Sequence, residues 1–379
     1  MNSKRSSSPK SAAIISGNED LLIELLSFFP ASTLIRFQLV SKQWHSLISA
    51  PSFRRLHTLR HCHRKPQPSF ILRPTFPSTT SHEFFYFRPT IKKLIPFSFR
   101  FPSVKILQSC NGLLLLETKN TQYGRKIYYI CNPTTMQYRN VMIGRTSCER
   151  LCLVFDPSKS PHYKVIRFMT KGTARPGREY TIDVYESETH TWNNWGKRRL
   201  TNWRFNNAVY WNGGMYFIRP GGNSYCFYLQ EIAGVDERID RPPWTCCKGM
   251  RQNYAMESNG HLHSISLSVL PDKNYLSVFE MNKEDRSWFM KYRVDINPIA
   301  HLFAVKFPVV GSVLGIVRGD REEDSTFLFH EPGKIILYRF YEESFEVLVD
   351  FTTEDYYEEG RVQFDFNDVY QFIETLAPV

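Results

Sequence analysis

Asn-Gly pairs stand directly ahead of an apolar run at three places in this chain: Asn111-Gly112 (CNGLLLL), Asn212-Gly213 (WNGGMYFI) and Asn259-Gly260 (SNGHLHSI). Residues 156–162 (DPSKSPH) form a looser turn in the gap, so the interval is about 50 residues. A two-residue hairpin needs positive φ at both central positions, which Asn and Gly tolerate best, so each pair reads as the turn between two antiparallel strands. A second series keeps the same interval: an extended run with an aromatic, a polar turn, then a closing aromatic. It occurs at Tyr129–Tyr138, Val184–Trp192, Val278–Trp288 and Leu337–Phe345, whose closing aromatics lie 54, 96 and 57 residues apart. The double gap leaves room for a degenerate unit around 225–239.

Four short strands every ~40–50 residues are the mark of propeller blades, each of which buries its faces against its neighbours. The repeat predicts units near 104–142, 151–195, 207–239, 252–292 and 311–351. Early strands at 70–95 and a C-terminal stretch at 362–373 would complete a sixth blade and close the ring. A twisted β-sandwich is the competing architecture. An aromatic content of 15% suits either, because aromatic side chains fit the pleated, half-buried surface of a sheet.

Ahead of the repeat the period changes to 3.6. Residues 1–17 read as a disordered leader. Asn18 is then a good N-cap, Glu19 and Asp20 suit the positive end of a first turn, and Leu21, Leu22, Leu25 and Leu26 recur at helical spacing. Pro30 is placed to open a second helix, from Ala31 to about Gln38, and Val40, Trp44, Leu47 and Ile48 share a face of a third that stops before Pro51. Residues 18–56 therefore read as three short helices, residues 57–69 (HTLRHCHRKPQPS) as a basic linker, and 70–379 as the β domain. A segment of ~40 residues cannot bury its own apolar faces, so its leucines pack on the rest of the chain or are reserved for a partner.

The net charge of +11 is unevenly spread, with 15 acidic and four basic residues in 321–379 against a basic remainder. Eight Cys at irregular spacing are too few for a disulfide framework. The first residues lack the apolar run of a signal peptide, and no stretch approaches the ~18 apolar residues of a membrane span, so the expected setting is reducing, in cytoplasm and/or nucleus. No phosphate-binding loop, dinucleotide fingerprint, nucleophile elbow or His-Glu-x-x-His occurs. No catalytic residue, cofactor or metal is expected. Cys148, Cys152, Cys246 and Cys247 read as buried thiols, His61-Cys62-His63 as part of the linker, and His261 and His263 as structural. Trp195–Arg204 mixes basic residues with tryptophans, which can hold phosphate and stack bases; it reads rather as an inter-blade loop, and a basic RNA-binding protein is the rival function.

Asp20–Ser27, Phe29–Phe37, Val40–Ile48 and Pro51–Phe53 together resemble an F-box of the plant type, with Val40-Ser-Lys-Gln-Trp44 as its specific core. The usual Leu-Pro opening of that family is replaced here by Gly17-Asn18. The remaining chain resembles the F-box-associated domain of the same plant family, on Ser109–Leu114, Cys131–Thr135, Phe155–Val165, Val184–Thr189, Trp288–Val294, Gly315–Gly319 and Tyr370–Leu376. The resemblance implies a mainly β chain with a small α module, and a substrate receptor of an SCF-type ubiquitin ligase. Its F-box would dock on a Skp adaptor, which links to a cullin scaffold, while the β domain holds an unknown target. An F-box protein acting outside a cullin ligase is the second rival.

On that footing Leu21, Leu25, Pro30, Leu34, Val40, Trp44 and Leu47 are expected to present one apolar surface, with Leu22 and Leu26 as the alternative helix-to-helix contacts. In a four-stranded blade the turns between strands one and two lie on one face of the ring; the two-to-three and inter-blade loops lie on the other. The Asn-Gly turns and the acidic 319–324 turn then share the first face. Basic loops at 118–126, 143–150, 170–179 and 196–206 share the second, where Lys171, Arg175, Arg178, Lys197, Arg198, Arg199 and Arg204 would receive an acidic or phosphorylated segment.

Overall fold

The computed structural model describes residues 17–64, 67–74, 84–119, 125–143, 150–170, 178–200, 208–218, 224–228, 237–240, 242, 250–269, 274–298, 312–331, 333–350 and 364–379. Four helices open it: α1 (Glu19–Leu26), α2 (Ala31–Phe37), α3 (Lys42–Ser49) and α4 (Pro51–Arg64). Asn18 caps α1, its side chain accepting from the Leu21 N–H at 3.2 Å, and Ser41 caps α3 through the Trp44 N–H at 3.1 Å. Residues 57–64, expected in a linker, instead continue α4. That helix is held by tertiary contacts: the rings of His57 and His61 stack at 4.0 Å, with Nε2 of each on a carbonyl past the end of α1, Phe29 O at 2.8 Å and Ser27 O at 3.3 Å.

Six four-stranded antiparallel sheets follow. Blade I is Lys105–Cys110, Leu113–Lys119, Lys126–Asn132 and Gln137–Asn140; blade II is Arg150–Val154, Lys164–Thr170, Arg178–Glu186 and Thr191–Leu200. Blade III is Ala208–Trp211, Gly214–Phe217, Ser224–Tyr228 and Glu237–Ile239; blade IV is Met250–Ser258, His261–Val269, Asn274–Met281 and Trp288–Asp295. Blade V is Ser312–Val317, Thr326–Glu331, Lys334–Arg339 and Ser344–Asp350. Blade VI takes its inner strand, Phe364–Phe372, from the far end of the chain and pairs it with Ser69–Pro74, followed by Phe84–Arg88 and Lys93–Phe97. The sheet order is that of a six-bladed propeller, and the sandwich is excluded.

Neighbouring blades share apolar clusters at all six seams. Leu113 and Leu115 pack with Leu153, Phe155 and Tyr163 between blades I and II, while Leu114 and Leu116 pack with Ile71, Phe84 and Phe372 between VI and I. Successive side chains of a strand point to opposite faces, so a strand with a blade on each side reads as an unbroken leucine run. The Asn-Gly turns have the expected geometry, with φ of 45° and 91° at Asn111-Gly112, 46° and 83° at Asn212-Gly213, and 53° and 79° at Asn259-Gly260. The second series has a common cause too. Met136, His190, Arg286 and Glu343 all lie at positive φ, each two residues before a closing aromatic. The aromatic then reaches the preceding blade: Trp192 Nε1 donates to Met142 O at 2.8 Å, and Trp288 Nε1 to Asp240 O at 2.9 Å.

Candidate functional site

The helical module buries Leu22, Leu26, Ala31, Leu34, Leu47, Ile48 and Phe53 in one core, to which Phe37 and Trp44 add an edge-to-face pair with ring centroids 5.3 Å apart. Leu34 and Leu47 are thus core residues, 0% and 5% exposed, rather than parts of a docking face. A helical stripe has the same spacing whether it points inward or outward, which is why sequence could not separate them. Trp44 is half-buried against that core. Leu21, Leu25, Pro30 and Val40 do remain in solvent, joined by two residues that the sequence reading omitted, Phe28 at 51% and Leu39 at 88% exposure. The Leu-Val pair between α2 and α3 was the missed signal: apolar residues in a short connection that neither helix can bury.

Helix α4 fixes where this surface stands relative to the ring. Arg54 Nη1 donates to Gln137 Oε1 at 3.1 Å, at the start of the outer strand of blade I, and Arg55, Thr58 and Leu59 border residues 155–161. A cavity of about 890 Å³ opens beside them, bordered by His61, Asn111, Asp156, Trp211, Glu257 and Arg318. Asn212, Asn259 and Gly319–Asp324 border it as well, so the Asn-Gly and acidic turns share a face, and the helical module sits on that face. A second cavity of about 550 Å³ continues towards the centre of the ring past Gln108, Tyr210 and Gln371. Burial pushes the Glu257 carboxyl up, although the Gly260 N–H donates to it at 2.6 Å.

Titratable groups between blades IV and V form a connected set. Glu280 faces His261 Nδ1 at 2.8 Å, His263 Nε2 at 3.4 Å and Arg318 Nε at 3.7 Å. Burial by itself would raise the Glu280 carboxyl, but the two histidines hold it far below the carboxylate range; burial also lowers fully enclosed His263. Arg318 in turn donates to Ser325 Oγ at 2.6 Å and to the Tyr292 hydroxyl at 3.2 Å. The set fastens one blade to the next. The described cysteines are free thiols, and burial pushes Cys131 up to about 12 and Cys152 and Cys226 up to about 11, so these three are neutral and poor nucleophiles.

Of the residues expected to bind a target, Lys171, Arg175 and Arg204 lie outside the described residues. Arg178, Lys197, Arg198 and Arg199 belong to the outer hairpin of blade II, in the register Thr181↔Lys197, Tyr180↔Arg198 and Glu179↔Arg199, so 197–200 is strand rather than loop. Lys197 is paired with Glu179 at 3.2 Å. Trp195, from the basic-aromatic stretch, packs against the apolar seam between blades II and III. The basic loop centres 120–124 and 144–149 also lie outside the described residues.

Residues 18–56 match the F-box domain and residues 87–368 match the F-box associated beta propeller domain. The chain is 30% identical to the Arabidopsis thaliana F-box protein At5g07610, over 98% of its own length and 94% of the relative's. It is 22% identical to F-box protein At5g49610 of the same plant, over 77% and 82% of the two chains. F-box/kelch-repeat protein At3g61590, also from Arabidopsis thaliana, is 26% identical over 55% of this chain and 53% of its own.

Proposed function

Because the chain belongs to the F-box proteins that carry an F-box associated β propeller, we propose that it is the substrate-recognition subunit of an SCF-type ubiquitin ligase. Its helical module docks on a Skp-family adaptor, the adaptor links it to a cullin scaffold, and the propeller holds a target protein, in cytoplasm and/or nucleus. In this reading the chain performs no bond chemistry. It raises the effective concentration of target lysines near a conjugating enzyme. The observation that carries the reading is the apolar set Leu21, Leu25, Phe28, Leu39 and Val40, left in solvent by a module whose core is already closed. Several large apolar side chains exposed on one small module are the mark of a surface that a partner covers.

The module occupies the Asn-Gly face, so the opposite face is the one left open to a target. The strand ends of blade II that carry Arg178 and Arg198–Leu200 lie there, and the basic sequence at those ends is what supports an acidic or phosphorylated ligand.

Titrating a purified Skp-family adaptor against the wild type and a Leu25→Asp/Val40→Asp variant tests the docking reading. Affinity should fall at least ~10-fold with no change in melting, because both side chains are exposed and neither supports the core. Equal affinities would sink the assignment, and adaptor binding without cullin co-purification would leave an F-box protein outside a ligase. Trp44→Ala is a less clean probe, since it also removes the ring that packs on Phe37.

A further inference from the structure

Beyond the inner strand of blade VI the chain does not leave the ring. Glu374 accepts a hydrogen bond from the Tyr86 hydroxyl at 2.9 Å and is ion-paired with Arg88, both on blade VI. The fully buried Asn132 of blade I donates from Nδ2 to the carbonyls of Thr375 at 3.0 Å and Ala377 at 2.8 Å. Its Oδ1 meanwhile accepts from the Thr134 N–H at 2.9 Å, which holds the turn in place. Ala377 enters the seam between blades I and II. Leu376, between these anchors, enters a different body: it is 0% exposed and shares the core of Leu22, Leu26, Leu34, Leu47, Ile48 and Phe53. Thr375 Oγ1 also meets Thr58 Oγ1 of α4 at 3.4 Å, both groups buried.

We infer that the C-terminal tail is a latch through which closure of the ring completes the adaptor-docking module. A helical segment of ~40 residues is too small to bury its own faces, and here one of the missing side chains comes from the last residues of the chain. Those residues are in place only when Phe364–Phe372 has taken its position as the inner strand of blade VI. A chain with an open ring therefore presents a loosened docking module, so that a receptor unable to hold its target is also a poor ligand for the adaptor. That consequence rests on the adaptor-docking reading, whereas the latch itself rests on geometry within this chain.

Hydrogen exchange on full-length Leu376→Ala and Asn132→Ala, with adaptor titration beside it, tests the inference. Leu376→Ala leaves a hole in the helical core; Asn132→Ala releases the tail without removing any side chain of that core, although it also loosens the turn before Gln137, so α1 and α3, which do not meet Gln137, carry its readout. Both should speed exchange of the amides of α1, α3 and α4 at least ~10-fold, leave the inner strands of blades II to V protected, and weaken adaptor binding in parallel. Helical exchange unchanged in both variants would overturn the latch. Should Leu376→Ala unfold the whole chain, Asn132→Ala decides by the same readout. A wild type that fails to bind adaptor defeats the docking reading alone, since exchange needs no adaptor.

Discussion

In blade I, Leu113 and Leu115 enter one seam while Leu114 and Leu116 enter the next; in α1, Leu22 and Leu26 enter the core while Leu21 and Leu25, each one residue earlier, stay about half exposed. The two stretches are equally rich in leucine and differ in what surrounds them. A strand inside a propeller has a blade on both sides, so its whole side-chain complement is buried by the same chain. A helix in a small module has a neighbour on one side, and the other side waits for a partner. Each half-exposed leucine of the set offers on the order of 1 kcal/mol to whatever covers it. The ring is closed by its own chain, whereas the module takes Leu376 from outside itself and still leaves Leu25 and Val40 exposed, the side chains proposed to meet the adaptor.

The most severe way to break this contrast is to open the ring. Removing 362–379 takes away the inner strand of blade VI, and with it the buried rings of Phe364 and Phe372 from two different seams. The new edge of Ser69–Pro74 is buried strand with no charge to protect it over Ser69–Leu72. We expect loss of the cooperative melting transition and aggregation in size-exclusion chromatography. A soluble truncation that still melts cooperatively would mean that the ring does not depend on its closing strand.

Much of the ring was legible because its signals are local. Asn-Gly pairs specify the turn between strands one and two, and Tyr138, Trp192, Trp288 and Phe345 mark the outer strand. The positive-φ residues that set those outer turns were not legible, since Met136, His190, Arg286 and Glu343 have no side-chain chemistry in common. The second half of α4 was missed for a different reason. His57–Arg64 shows no apolar period of its own, and its hydrogen bonds to the rest of the chain run to Glu24, Ser27, Phe29 and Thr375. Leu376 belongs to the helical core across more than 300 residues of sequence, a pairing that no local pattern contains. For the docking surface, spacing found the right helices but could not say which side of each faced water.

A milder test compares two Asn-Gly turns that look alike in sequence. Gly112 has φ +91°, and a Cβ there would overlap Ile373 O and the Thr375 side chain; Gly213 has φ +83°, but among the described residues a Cβ there would meet only Lys159 Nζ at 3.5 Å. Gly213→Ala should therefore cost about 1 kcal/mol of stability in urea unfolding, the cost of positive φ at a residue with a side chain. Gly112→Ala adds displacement of the tail and should cost about 3 kcal/mol. It should also loosen the helices where Gly213→Ala does not. Equal losses would show that the tail contributes nothing to the first turn.

The last effect is confined to a pH window, and it separates two buried groups of the ring by sign. His263 is enclosed and lowered by burial, so the unfolded chain binds the proton that the folded one refuses; its contribution is present above about pH 6.5 and lost as pH falls below it. Glu331 is an acid, 3% exposed, whose Oε2 has no hydrogen-bond partner among the described residues, and burial pushes its carboxyl up to about 7. Between its ordinary value near 4.5 and about 7 the folded state holds a proton that the unfolded state has released. Stability tied to Glu331 therefore falls as pH rises through that window, opposite in direction to His263. Glu331→Gln cannot ionise, so it should be more stable than wild type above pH 7 by on the order of 2 kcal/mol and nearly equal to it at pH 4. Urea unfolding at pH 4 and pH 8 reads the difference. A gap that is the same at both pH values would mean that the amide changes packing rather than protonation, and the alkaline loss would then have to be sought in another carboxyl, with half-buried Glu257 the first to replace.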